Sequence, residues 1–84
     1  MPSYLVETYE PNARPGDARD ARRRVRMAAQ ELARFGEPIR YVRMTFLPGD
    51  ETCFHVLVAD SEDAVAEACR RAGLGSPRIV PALE

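Results

Sequence analysis

One histidine, two cysteines and a scatter of carboxylates are the groups in this chain able to hold a metal or move a proton. His55 is the sharpest of them. A neutral imidazole is the commonest nitrogen ligand of transition metals and the side chain that titrates, unperturbed, near neutral pH. Cys53 precedes it by two residues in the run CFHVLVA, and residues two apart on a strand share a face. A thiolate beside an imidazole suits a borderline metal if Glu7 completes the shell. The same pair would act as nucleophile and base only with hydrogen-bond contact and a third, orienting group, neither of which spacing supplies. Glu7 is itself a candidate general base if its surroundings are dry enough to raise its pKa, and Arg43 beside it would act in the opposite sense.

These groups need strands to position them. Ser3 to Tyr9 concentrates β-branched and aromatic residues and is followed by the loop EPNARPG. Asp17 stands where an N-cap is needed, and Ala18, Ala21, Val25, Ala28, Leu32 and Phe35 then recur at helical steps until Gly36 and Pro38 end the pattern. Ile39 to Leu47 and Cys53 to Ala59 read as a hairpin about Pro48-Gly49-Asp50. Asp60 or Ser61 caps a second helix with Val65, Ala68, Cys69 and Ala72 inward, stopped by Gly73 and Gly75. Arg78 to Leu83 closes the chain as a strand, and Pro81 inside it demands a sheet edge. The sum is one α+β domain over residues 1–84: a ferredoxin-like βαββαβ fold with a four-stranded antiparallel sheet of order 4-1-3-2 and two helices on one face.

Helices cover one sheet face, so the more apolar set of each strand is expected beneath them. On the third strand that set is Phe54, Val56 and Val58, which leaves Cys53, His55 and Leu57 on the open face. On the second it is Val42, Met44 and Phe46, opposite Tyr41, Arg43, Thr45 and Leu47. The two choices agree only if the hairpin loop has an odd count, three or five residues. On the first strand Glu7 is hard to bury without a partner, so Leu5, Glu7 and Tyr9 go to the open face. Cys53 and Cys69 then lie on opposite sides of the sheet and form no disulfide. The open face emerges as a candidate ligand cleft lined by Glu7, Tyr9, Tyr41, Arg43 and His55. Its plainer reading is a homodimer interface in which Glu7 and Arg43 form an ion pair that settles register.

Composition narrows the classes further. A net charge of -1 argues against a dedicated nucleic-acid partner. All twelve basic residues are Arg, so single arginines carry little information. The run Arg19, Arg22, Arg23, Arg24 and Arg26 has Asp20 interleaved and reads as a solvated helix face. No apolar run approaches the roughly 20 residues of a membrane span and the start lacks a signal peptide, so no membrane partner and a cytoplasmic location with free thiols are expected.

Pro2-Ser3-Tyr4-Leu5-Val6-Glu7, Asp50-Glu51-Thr52-Cys53-Phe54 and Ala72-Gly73-Leu74 before Arg78-Ile79 resemble the small bacterial proteins of the DUF4242 family. The resemblance spans most of the chain and implies a dimeric α/β barrel and nickel binding. Weighed against nickel, a single histidine is a thin ligand set, with His55, Cys53 and Glu7 as the metal candidates. The function expected is therefore a small dimeric protein binding an organic ligand or metal on the open face. Behind it stand a cofactor-independent isomerase, cyclase or monooxygenase-like enzyme with Glu7 or His55 as base, and a structural or regulatory dimer with no site.

Overall fold

The computed structural model describes residues 1–83. Its elements run β1 (Ser3–Tyr9), α1 (Pro15–Arg34), β2 (Ile39–Leu47), a 3-10 turn (Pro48–Asp50), β3 (Thr52–Ala59), α2 (Glu62–Arg71) and β4 (Arg78–Ala82). The strands form one antiparallel sheet in the order β2-β3-β1-β4, which is the ferredoxin-like arrangement expected. β4 pairs with β1 alone, so Pro81 does occupy an edge strand.

Helix α1 starts earlier than its periodicity suggests. Arg14 is the N-cap and Pro15 takes the first helical position, where a missing N–H loses nothing. Asp17 serves the start from inside the first turn, its carboxylate accepting the Arg14 N–H at 2.9 Å. The helix ends on Gly36 at φ +95°, with the Glu37 N–H reaching back to the Leu32 carbonyl at 3.0 Å. Phe35 falls beyond the last turn and is 80% exposed, so it leaves the inward stripe. In α2 the Ser61 hydroxyl accepts the Ala64 N–H at 3.2 Å, as a cap should. The buried faces of the helices are mostly alanine: Ala18, Ala21, Ala28 and Ala29 in α1, Ala64 and Ala68 in α2. Side chains that short let the helices sit close to the sheet, and Tyr4, Val6 and Leu57 rise from the strands to fill the layer.

The β2–β3 hairpin overturns one expectation and, through it, several others. Leu47 pairs with Thr52, so the loop is the four residues 48–51, an even count: the 3-10 turn plus Glu51 in the left-handed region at φ 52°. Phe46 therefore faces Cys53 across the ladder and Met44 faces His55. Directly paired residues share a face, so Cys53, His55 and Leu57 lie under the helices while Phe54, Val56 and Val58 look out, the reverse of the apolarity ranking. A second correction concerns Tyr41. The register slips by one between Tyr41 and Arg43, making Val42 a bulge, so Tyr41 points to the helix side along with Met44. β1 is arranged as expected: Tyr4, Val6 and Thr8 are buried, and Leu5, Glu7 and Tyr9 face away.

Candidate functional site

The six candidate residues divide between two places. Tyr41, Cys53 and His55 form a polar chain beneath the helices. His55 and Cys53 are fully buried. The Tyr41 hydroxyl lies 2.7 Å from His55 Nδ1, and Cys53 Sγ lies 3.6 Å from Nε2. The two rings meet edge to face at 5.8 Å. A neutral imidazole offers one donor and one acceptor, and a hydroxyl and a thiol can each take either role, so both ring nitrogens are partnered in either tautomer. This is why a histidine is accepted in a layer otherwise built of Tyr4, Val6, Leu57 and alanines.

The arrangement supplies the contact and the orienting group that a Cys–His nucleophile requires, yet its charges run the wrong way. Burial lowers His55 to about 4. Burial, with the Glu10 carboxylate adding to it, lifts Cys53 to about 11, and burial also lifts Tyr41 well above its ordinary value against the pull of Arg22 and Arg26. At neutral pH all three groups are uncharged, with neither thiolate nor imidazolium, and only Tyr41, at one end, is partly exposed. The chain of hydrogen bonds is structural. Cys69, buried in α2, is likewise lifted by burial to about 11. Both cysteines are free, though not for the reason expected, since both lie on the helix side of the sheet.

The metal set does not assemble. Glu7 projects from the opposite face to Cys53 and His55. Among the described residues no group of three His, Cys, Asp or Glu side chains is close enough to hold an ion. The residues present therefore do not fit a nickel site of the kind the resemblance implies.

On the open face, Leu5, Phe54, Val56, Val58 and Val80 form a central apolar strip across β1, β3 and β4. Charged groups surround it. Glu7 pairs with Arg78 of the neighbouring β4 at 3.4 Å instead of with Arg43, which stands two strands away on β2. Glu7, Tyr9, Thr52, Ser76 and Arg78 line a groove of about 340 Å³. The Tyr9 hydroxyl donates to Glu51 Oε1 at 3.3 Å, and Glu51 Oε2 accepts the Asn12 N–H at 2.7 Å, so one carboxylate ties the β1–α1 loop to the hairpin at the groove's end. Of the five expected cleft residues, Glu7 and Tyr9 come together, Arg43 shares their face at a distance, and Tyr41 and His55 are on the other side of the sheet. Arg78, Thr52 and Ser76 were not anticipated. Arg78 was within reach of the sequence, because order 4-1-3-2 sets β4 beside β1 and an antiparallel register brings an arginine opposite Glu7.

No family model matches the sequence, and no curated protein matches it. No helix among the described residues is long and apolar enough to cross a membrane.

Proposed function

We propose that the chain is a homodimeric binding protein whose ligand is a small organic molecule carrying an acidic group, held on the open sheet face where two copies meet. The uncovered apolar strip carries this reading. Both helices are on the other face; Leu5, Phe54, Val58 and Val80 stay partly exposed on this one, around Val56, which its neighbours on the sheet already bury. Covering apolar surface is favourable by about 25 cal/mol per Å², and a second copy presents a strip of matching character. The rim sets the ligand's sign: Arg40, Arg43 and Arg78 share this face, where the carboxylates of Glu7 and, at the groove's end, Glu51 are both already engaged, Glu7 by Arg78 and Glu51 by Tyr9 and the Asn12 N–H. The resemblance to the DUF4242 proteins, which implies a dimeric α/β barrel, points the same way, and free buried thiols accord with a cytoplasmic setting. An enzyme in this cleft would lack His55 as a base, and Glu7 is held in an ion pair.

Light scattering at micromolar concentration, followed by native mass spectrometry of freshly purified protein, tests the reading. The expected result is a dimer that retains an organic mass, with each copy burying about 800 Å². Leu5→Asp, at a partly exposed position between Val56 and Val80, places a charge in the centre of the strip and is expected to weaken the dimer at least ~100-fold while leaving the far-ultraviolet circular dichroism intact. A monomeric wild type, or a dimer indifferent to Leu5→Asp, would reject it.

A further inference from the structure

The arginines of α1 are not equivalent. Asp20 divides them: its Oδ1 takes Arg23 at 2.6 Å and its Oδ2 takes Arg24 at 3.1 Å, and Arg24 also donates to the Ala72 carbonyl. Arg19, Arg22 and Arg26 have no carboxylate partner among the described residues. They follow one another at steps of three and four, which sets their guanidiniums on one helix face within about 10 Å. Three like charges so placed repel one another, and among the described residues no ion pair of their own relieves them. Arg19 and Arg26 are exposed and Arg22 lies between them, partly withdrawn from water. With Gly16, Asp20 and Arg23 they line a groove of about 380 Å³. Arg22 is half-buried and its Nε is enclosed without an acceptor. Arg26 continues into the adjoining depression between α1 and β2, which Arg40 also lines. The one carboxylate of the groove, Asp20, has both oxygens engaged. A chain of net charge -1 thus carries a local concentration of unmet positive charge.

We propose that this groove binds a small polyphosphate anion, a di- or triphosphate group, through Arg19, Arg22 and Arg26. The guanidinium fork matches two oxygens of a tetrahedral phosphate, and guanidiniums one helical turn apart match successive phosphates of a short chain. Nucleic acid is a poorer fit. The lining residues include no aromatic side chain on which a base could stack, and Tyr41 nearby is committed to His55. The site is separate from the open-face cleft and does not depend on the dimer.

Calorimetric titration of the full chain with inorganic tripolyphosphate at low salt tests the proposal, with a nucleoside triphosphate titrated in parallel. One-to-one binding is expected, weakened about tenfold or more by Arg22→Gln and by Arg26→Gln. Arg22→Lys, which keeps the charge but loses the fork, is expected to weaken it as well, whereas Arg70→Gln, on α2 and paired with Glu67, leaves it unchanged. Equal affinity for the two ligands identifies free polyphosphate as sufficient; tighter nucleotide binding with the same arginine dependence identifies a nucleotide as the carrier. Absence of binding, an equal loss in Arg70→Gln, or a short single-stranded RNA that binds more tightly through the same arginines would each overturn it. Thermal melts of the variants matching the wild type exclude misfolding as the cause of a loss.

Discussion

β3 presents its two faces to opposite conditions. Beneath the helices lie Cys53, His55 and Leu57, sealed, with the polar atoms of the first two hydrogen-bonded. On the other side Phe54, Val56 and Val58 look outward, beside Glu7 and Arg43. The more hydrophobic set is thus the one the helices leave uncovered: Phe54 and Val58 stay partly exposed, and Val56 between them is buried by its neighbours on the sheet. Polarity alone does not decide which side of a strand is the interior; what decides is whether each polar group finds its partners there.

The contrast can be broken first at His55. His55→Ala removes a fully buried ring and strands the Tyr41 hydroxyl and the Cys53 thiol, which is expected to destabilise the fold by about 3–4 kcal/mol and lower Tm by roughly 15–25 °C. Phe54→Ala, one residue away on the open face, is expected to change stability by under about 1 kcal/mol in protein dilute enough to be monomeric. Urea unfolding of the two variants side by side is the measurement, and comparable losses would erase the distinction between the faces.

The buried imidazole also makes the closed face sensitive to acid. His55 titrates at about 4 in the fold and near 6.5 in the unfolded chain. Its contribution is complete above pH 6.5; as pH falls toward 4 the unfolded chain gains a proton that the folded one refuses, and up to about 3 kcal/mol is lost. Unfolding free energy followed from pH 7 to 4 is expected to fall more steeply for the wild type than for His55→Phe, which keeps a ring but cannot titrate. Parallel curves would mean that His55 opens to water more readily than its burial implies.

The smallest effect is expected at the rim. Arg78 is 71% exposed in its pair with Glu7, and such pairs contribute about 0–1 kcal/mol. Arg78→Ala should therefore leave the midpoint of chemical unfolding nearly unchanged, while weakening retention of an acidic ligand on the open face. A large loss of stability would move this pair from the rim to the structural frame.

Much of the fold was legible in the sequence because periodicity and punctuation are local. Alanine and valine at helical steps, Ser61 before α2, Gly36 after α1 and Pro81 in the last strand each identify an element or its place. The site was less legible because it depends on parity. β1 was assigned correctly on the strength of one charge, Glu7. On β3 the apolarity of Phe54, Val56 and Val58 points to the wrong face, and the odd loop count derived from that choice fails with it: PGDE closes a loop of four, and a one-residue difference there reverses every side chain that follows. That His55 has Tyr41 and Cys53 as partners is a fact of the third dimension: neither the slip at Val42 nor the approach of the two rings leaves a mark in IRYVRMTFL.

Val42 is 37% exposed, and its side chain has no role in the core. Its importance is arithmetical. Ile39 and Tyr41 reach the interior on one count of residues, Met44 and Phe46 on another, and the additional backbone unit at Val42 reconciles the two. The position is consequently permissive to chemistry and intolerant of length. Threonine, arginine or glutamine there would be absorbed with little effect, whereas losing the residue altogether, with the hairpin end held fixed, would turn Tyr41 outward, swing Arg40 beneath α1 and take the hydroxyl away from His55. A single-codon deletion at this point would do more harm than any substitution at the same place.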